Sequence, residues 1–128
     1  MEKKAIHTDN APKAVGPYSQ AVAFGSMLIC SGQIPIRPSD GVLLTGDVQE
    51  QTHQVMKNLQ AVLEEAGASL NDVVRTTIFL SSMDDFAKVN EVYASYFQEP
   101  YPARACVEVA RLPKSVDVEI DAIAVLKA

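Results

Sequence analysis

The sequence predicts an α+β fold in which one mixed β-sheet carries two helices packed on one of its faces. Two segments repeat apolar residues at helical spacing, and five shorter segments have the composition of strands. They follow one another in the order ββ-α-β-α-ββ, which favours helices on one side of a sheet. The length of 128 residues suits a single domain over residues 1–128 that buries its own core.

The first two strands are predicted to form a hairpin, since residues 18–24 and 27–31 flank the turn residues Gly25 and Ser26. A loop is expected over about residues 34–46, where prolines and glycines cluster. The first helix is predicted from Asp47, a suitable N-cap, to Ala66, with Gly67 after its end. Its apolar stripe comprises Val48, Val55, Met56, Leu59, Val62, Leu63 and Ala66.

A β-branched run predicts the third strand over residues 73–80. The second helix is expected to begin at Ser82 as N-cap and to stop near Pro100. Its apolar face comprises Phe86, Val89, Tyr93, Tyr96 and Phe97. The last two strands are predicted at about residues 104–109 and 116–126.

Alternation along the last strand places Glu119 and Asp121 on the same face as Ile123 and Val125, opposite a purely apolar face. If the helices cover the apolar face, the mixed face suits contact with a partner subunit.

Composition excludes several classes of function. The net charge of −5 disfavours a nucleic-acid partner, because such binding depends on neutralising phosphates. The basic pair Lys3 and Lys4 is expected at a loose terminus. No apolar run is long enough to span a membrane, and the start of the chain does not resemble a secretory signal, so a cytoplasmic protein with the free thiols Cys30 and Cys106 is expected. The histidines, His7 and His53, lie in different segments and give little support to a metal site.

Phosphate-binding loops, zinc motifs and a hydrolase nucleophile elbow are all missing from the sequence. The polar residues that remain near predicted strand ends are Tyr18, Ser31, Arg104, Cys106 and Glu119. The stretches around them match a known family in order along nearly the whole chain. These stretches are GPYSQA (16–21), SGQIP (31–35), QTHQ (51–54) with Asn58 and Leu59, FAKVNEVY (86–93), PARACVEVARL (102–112) and VEI (118–120).

On these motifs the sequence resembles the Rid family of reactive intermediate deaminases, also called YjgF-like, and most closely its RidA group. The resemblance implies a chorismate-mutase-like fold and a homotrimer with sites in the clefts between subunits. It also implies hydrolysis of 2-imino acids and their enamine tautomers, such as 2-iminobutanoate and 2-iminopropanoate, to 2-keto acids and ammonia. Such imines are reactive products of pyridoxal-phosphate enzymes acting on serine or threonine. No cofactor, membrane or nucleic acid is expected as a partner.

Arg104 has two interpretations. It could pair with Glu108 or Asp121 for structure alone, or its planar guanidinium could hold a substrate carboxylate by two parallel hydrogen bonds. The resemblance favours substrate binding. Glu119 could be a solvated strand carboxylate, but the resemblance implies that it positions the attacking water and transfers protons.

The resemblance also implies that Tyr18 lines the cleft from a loop, with Ser31 and Gly32 at its wall, where the glycine permits close approach of the backbone. Asn90 would shape the cleft from the second helix, although a helix-surface amide explains it equally well. The resemblance implies that Cys106 offers its backbone to the substrate. A nucleophilic thiol is not expected there, because no histidine lies nearby in sequence. A metabolite-binding module without turnover is the alternative function.

Overall fold

A computed structural model describes residues 2–127, in which six strands form one sheet in the order β1-β2-β3-β6-β4-β5. Neighbouring strands are antiparallel except for β4 and β5, which are parallel. The strands are β1 (Lys3–Ile6), β2 (Ala21–Phe24), β3 (Met27–Gln33), β4 (Val73–Leu80), β5 (Ala103–Glu108) and β6 (Val118–Val125). The α+β prediction with one mixed sheet is therefore confirmed.

Two helices, α1 (Val48–Glu65) and α2 (Phe86–Ala94), pack against each other and against one face of the sheet. The Asp47 side chain accepts a hydrogen bond from the Gln49 backbone N–H at 2.8 Å, which caps α1 as the sequence predicts. Gly67 follows α1 with a φ of +82°, a left-handed conformation that suits glycine after a helix.

The core lies between the two helices and the sheet. In β6 the predicted alternation holds, because Val118, Ile120, Ala122 and Ala124 are all buried under the helices. The predicted stripe of α1 is buried from Val48 to Leu63, as expected for an amphipathic helix on a sheet.

The sequence prediction missed β1 and was wrong to place Lys3 and Lys4 in a loose terminus. The strand pairs along its whole length with β2, but only Ile6 of its four residues is buried. A short edge strand with lysines facing solvent has no alternating apolar pattern, so nothing in its sequence indicated a strand.

The second helix is also shorter than expected. Ser82 caps a 3₁₀ turn at Met83–Asp85 rather than the helix itself, and α2 ends at Ala94, well before Pro100. At its end the Ser95 hydroxyl donates to the Val92 carbonyl at 2.6 Å, and the next backbone N–H groups bond three residues back. A serine hydroxyl that binds the backbone in this way competes with continued helix formation.

The face of the sheet away from the helices is uncovered and is called the open face here. It carries the side chains of Glu119 and Asp121 together with large apolar residues from β2, β3, β5 and β6. The exposed apolar residues are Phe24, Met27, Ile29, Val107 and Val125. No helix within residues 2–127 has both the length and the apolar character that a membrane crossing requires.

Candidate functional site

Arg104 lies on the helix-covered face of the sheet, at the edge strand β5. Its register partner on β4 is Thr76, whose other neighbour is the buried Ala122 of β6. A cavity of about 430 Å³ opens beside the guanidinium. Its lining residues are Asn90, Tyr93, Ala94, Tyr101, Pro102 and Arg104.

The guanidinium of Arg104 is held by α2. Its Nη1 donates a hydrogen bond to Oδ1 of Asn90 at 2.6 Å, and its central carbon lies 5.1 Å from the centre of the Tyr93 ring and 5.6 Å from that of Phe86. Cation–π contacts and one short hydrogen bond fix the orientation of the group and leave its other N–H donors available. Asn90 therefore lies at this cavity and orients the arginine.

An ion pair of Arg104 with Glu108 or Asp121 is absent from the described part of the chain. Glu108 accepts from the backbone N–H of Met83 at 2.8 Å, and Asp121 accepts from that of Thr77 at 3.1 Å. Among residues 2–127 no carboxylate lies within salt-bridge distance of Arg104. An exposed cation with spare donors and no anionic partner is suited to bind an anion.

Neither cysteine is arranged as a nucleophile. Cys106 lies two residues after Arg104 on the same face, and partial burial raises the pKa of its thiol, although the charge of Arg104 acts against this. Burial raises the pKa of Cys30 to about 12. Both cysteines are free. Thiols with raised pKa values stay protonated near neutral pH, and a protonated thiol is a poor nucleophile.

Glu119 belongs to a different cavity, of about 470 Å³, on the open-face side of the sheet. Residues from the N-terminal segment, β3 and the turn before β6 line it. They are Pro12, Lys13, Val15, Tyr18, Gln20, Ser31, Gly32, Gln33, Ile34, Ile36, Pro113, Lys114 and Glu119. The cavity thus brings together four residues predicted from the sequence, on three segments that are distant along the chain.

Burial of the Glu119 side chain raises the pKa of its carboxyl group, and the nearby charge of Asp121 raises it further. The two residues share the open face of β6, two positions apart. A carboxyl group with a raised pKa exchanges protons closer to neutral pH, which suits general acid–base catalysis.

Gly32 is required by the position of Glu119. A Cβ atom at residue 32 would lie 2.6 Å from Oε2 of Glu119, closer than such atoms approach, and 3.0 Å from its carboxyl carbon, so the carboxylate would have to move. The absence of a side chain at Gly32 therefore lets the carboxylate lie against the backbone of β3.

Tyr18 and Ser31 lie at the same cavity. Tyr18 is half exposed and follows Gly16, whose φ of +131° allows a tight turn closed by the Tyr18 N–H donating to the Gly16 carbonyl. The Ser31 hydroxyl donates to the carbonyl of Ser19 at 2.6 Å. Its proton is therefore committed to the loop that carries Tyr18, while its lone pairs can still accept a hydrogen bond.

Three amide side chains near this cavity belong to the stretches that match the family, but the sequence analysis assigned them no individual role. Buried Gln20 accepts from the Thr8 N–H at 2.7 Å and donates to the Pro12 carbonyl at 2.8 Å, so it fixes the N-terminal segment. Asn58 on α1 donates to the carbonyls of Ile34 and Ile36. The Gln51 side chain donates a hydrogen bond to the Asp117 carboxylate and accepts one from the Asp117 backbone N–H. Gln51 and Asn58 lie on the apolar side of α1, and a polar residue at such a position is the sequence signal that indicates a buried hydrogen-bonding role.

The histidines play no part in either cavity. His53 lies 2.9 Å from the hydroxyl of Tyr96 on the helix surface, and His7 lies 3.1 Å from Asp9. Within residues 2–127 no group of histidine, cysteine and carboxylate side chains is arranged to hold a metal ion.

The two strongest candidates, Arg104 and Glu119, are not brought together within one chain. Arg104 shares its face with Thr76 and the helices, whereas Glu119 lies opposite Phe79 on the open face. Each therefore lies at a separate cavity, one with an exposed cation and one with a half-buried carboxylate.

Comparison with known proteins assigns the chain to a family. Residues 8–126 match the family described as Endoribonuclease L-PSP. A RutC family protein of Pyrococcus horikoshii is 57% identical over 122 residues, which cover 95% of this chain and 97% of the relative. The 2-iminobutanoate/2-iminopropanoate deaminase of Salmonella typhimurium is 51% identical over 125 residues, with 95% and 97% covered.

Solved structures agree with this assignment. RidA from an Antarctic Psychrobacter has a TM-score of 0.92 at 47% identity, covering 96% of this chain and 99% of that one. Escherichia coli TdcF with bound serine has the same TM-score and identity, covering 97% and 99%. By sequence and by fold, this chain belongs to the Endoribonuclease L-PSP family, also known as the Rid or YjgF-like family.

Proposed function

We propose that the protein is a 2-iminobutanoate/2-iminopropanoate deaminase, built as one domain, that hydrolyses reactive 2-imino acids. Each turnover adds one water to the C=N carbon of the imino acid and releases a 2-keto acid and ammonia. The 51% identical Salmonella typhimurium relative carries this name. The bound serine in the TdcF structure supports a ligand of the same size, with a carboxylate next to a carbon that bears nitrogen.

We further propose that the protein acts as a homotrimer, in which Arg104 of one copy completes the Glu119 cavity of the next. The open face supports contact with a second copy, because it combines exposed apolar side chains with the Glu119 carboxylate. A cyclic assembly places one surface of each copy against a different surface of its neighbour. Such a contact can join the Arg104 cavity of one copy to the Glu119 cavity of the next, although the two lie on opposite faces of each copy.

In this arrangement the substrate carboxylate binds the free N–H donors of Arg104. Two parallel hydrogen bonds fix both the position and the plane of the carboxylate, so that the C=N carbon points toward Glu119. The backbone near Gly32 and Cys106 aligns the imine nitrogen. Tyr18 closes the cavity from its loop, Ser31 accepts a hydrogen bond, and Asn90 keeps the guanidinium oriented.

The chemistry then needs a base and an acid in turn. The Glu119 carboxylate takes a proton from the attacking water as the C–O bond forms, and it passes that proton to the imine nitrogen, which receives the C=N electron pair. The resulting neutral carbinolamine collapses when Glu119 takes the proton of its hydroxyl group, the C=O bond forms and the C–N bond breaks. Glu119 passes this second proton to the departing nitrogen, which leaves as ammonia. A raised carboxyl pKa supports this exchange, because it brings proton transfer closer to neutral pH.

No metal or organic cofactor enters this scheme. The free thiols of Cys30 and Cys106 are consistent with action in the cytoplasm, where 2-imino acids are released by pyridoxal-phosphate dehydratases.

The observation that carries the proposal is the guanidinium of Arg104, which has no carboxylate partner among residues 2–127 and is held by Asn90 and two aromatic rings beside a cavity. To test it, a threonine dehydratase generates 2-iminobutanoate, and the appearance of 2-ketobutyrate is followed with and without the protein. The parent protein should accelerate the reaction, and Arg104→Ala should lose roughly 10²-fold in kcat/KM, as for removal of a charged hydrogen-bonding pair. Arg111→Ala, which changes an exposed arginine outside both cavities, is the matched control.

If 2-ketobutyrate binds in calorimetry while the parent gives no acceleration, the alternative of a metabolite-binding module replaces the proposal. If Arg104→Ala is as fast as the parent, the assignment of the carboxylate to Arg104 is wrong.

A further inference from the structure

A third cavity, of about 560 Å³, adjoins the Glu119 cavity and has no part in the mechanism above. It is called the outer basin here. Five residues line both cavities, so the two cavities adjoin. They are Pro12, Lys13, Val15, Ile36 and Lys114. A molecule held at Glu119 therefore lies next to the outer basin.

The outer basin offers room that the smallest substrates do not need. The side chain of 2-iminobutanoate is a single ethyl group, and the Glu119 cavity alone already has the roughly 300–1,000 Å³ typical of sites for larger ligands. The remaining walls of the outer basin include Pro38 and Gly41 of the loop after β3. The space beside Gly41 is open, because a Cβ atom there would meet no atom within 4 Å.

The charges around the outer basin are mainly positive, although the chain as a whole carries a net charge of −5. Lys13 and Lys114 both line it, and neither belongs to a salt bridge in the described part of the chain. Its one acidic lining residue, Asp9, lies 3.1 Å from His7. An anionic group in the basin would meet two free ammonium groups and one carboxylate that already has a hydrogen-bonding partner.

The backbone at Lys114 is unusual. Lys114 and Ser115 have φ values of 55° and 57°, which residues other than glycine seldom adopt. The turn is closed by the Ser115 N–H donating to the Leu112 carbonyl at 3.0 Å. Conformations of this kind persist where the surrounding structure determines them, and they are concentrated at ligand sites. Here the conformation holds Lys114 at the boundary between the two cavities.

We propose that the outer basin binds the side chain of larger 2-imino acids, and that Lys13 and Lys114 favour side chains ending in a carboxylate. This inference rests on the deaminase function proposed above and adds a substrate class to the same site. The alkyl part of such a side chain would contact Pro12, Val15 and Ile36, and its terminal carboxylate would lie near the two ammonium groups. Imines of this class arise when acidic amino acids are oxidised at the α-carbon.

The test compares two imines with side chains of equal length. An amino-acid oxidase converts glutamate to an imine with a terminal carboxylate, and methionine to a neutral imine of similar reach. Trapping with semicarbazide competes with hydrolysis, so the loss of semicarbazone reports the deaminase rate. The readout is the ratio of kcat/KM for the acidic imine to that for the neutral imine, in which any general loss of activity cancels.

The parent protein should prefer the acidic imine by several fold, because each exposed ion pair contributes about two- to fivefold. Lys13→Gln and Lys114→Gln should each lower the ratio, and the double variant should bring it close to one. Raising the salt concentration should lower the parent ratio as well, since screening weakens exposed ion pairs. Lys57→Gln, an exposed change on α1, should leave the ratio at the parental value.

A parental ratio near one, or a ratio unchanged in the double variant, overturns the inference. These outcomes are distinguishable from failure of the proposed function, in which 2-iminobutanoate itself is not accelerated.

Discussion

Arg104 and Glu119 lie on opposite faces of the same β-sheet. Arg104 and Ala122 both pair with Thr76, so all three side chains lie on the helix-covered face. Glu119 pairs with Phe79 on the open face. A single substrate cannot contact both side chains within one chain. The proposed reaction therefore depends on a second copy that brings its own arginine to the carboxylate.

The separation of the two residues predicts complementation between inactive variants. Arg104→Ala and Glu119→Gln should each be almost inactive alone. After mixing, unfolding and refolding at equal amounts, random assembly should restore about one quarter of the sites, each with an intact arginine from one copy and an intact glutamate from another. The measurement is 2-iminobutanoate hydrolysis per mole of protein. Refolded single variants are the controls, and a mixture no more active than they are would contradict a shared site.

The open face should be needed for assembly. Val125→Asp places a charge on an apolar position that is 43% exposed in one chain, and desolvating that charge opposes subunit contact. The variant should elute as a smaller species in size-exclusion chromatography with light scattering and should lose activity. Val42→Asp, at a residue that is 44% exposed in the loop after β3, should keep the parental size. Equal sizes for both variants would argue against this face as the interface.

The pH profile of the reaction should reflect Glu119. Activity requires the Glu119 carboxylate and falls when it is protonated. Because the pKa of Glu119 is raised, the acid limb of the profile, over which kcat/KM falls, should lie at a higher pH than an ordinary carboxyl group would give. Asp121→Asn removes the smaller of the two causes, so the limb should move to lower pH while burial still holds it above the usual range.

The charged groups that face Glu119 are Asp121, Lys13, Lys114 and, in the proposed trimer, Arg104 of the neighbouring copy. Asn at position 121 can still accept the hydrogen bond from the Thr77 N–H, so the strand should be preserved. Asp84→Asn, at an exposed residue before α2, is the control and should leave the limb in place. A limb that does not move in Asp121→Asn would show that Glu119 is not the titrating group.

Gly32→Ala should impair catalysis without unfolding the protein. The added methyl group would lie 2.6 Å from Oε2 of Glu119, so the carboxylate must move away from the water it positions. We expect a loss of about tenfold or more in kcat, since small displacements of catalytic groups are costly. In the Glu119→Gln background the same change should cost much less, because the two residues act through one contact. Equal losses in both backgrounds would contradict this coupling.

Gln20→Leu should lower stability and activity together. The change leaves the Thr8 N–H and the Pro12 carbonyl without their partners, and the loss should reduce the free energy of unfolding by about 1–3 kcal/mol. Urea denaturation measures this directly. The KM should also rise, because the released segment carries Lys13 and Val15 at the cavity wall. Gln98→Leu, an exposed change, should alter stability by no more than about 0.5 kcal/mol.

Much of the fold could be predicted from the sequence, because the relevant signals are local. The stripe of α1, its Asp47 cap and the alternation of β6 each depend on residues a few positions apart, and all three were confirmed. The missed strand β1 had no such pattern, because only Ile6 is buried. At the early end of α2 the Ser95 hydroxyl binds the Val92 carbonyl, a contact that helix periodicity does not detect.

The sequence by itself identified the family and named Arg104, Glu119 and Gly32 as candidates, because their motifs are contiguous and the residue types suit the chemistry. Alternation along β6 already indicated that Glu119 faces away from the apolar side. Only the tertiary structure placed Arg104 on the opposite face of the same sheet, and only it showed that a Cβ at Gly32 would collide with the Glu119 carboxylate. The physical reason is that strand order and register are set by contacts between residues far apart in the chain. Those contacts decide how the faces of different strands align, and no local pattern encodes them.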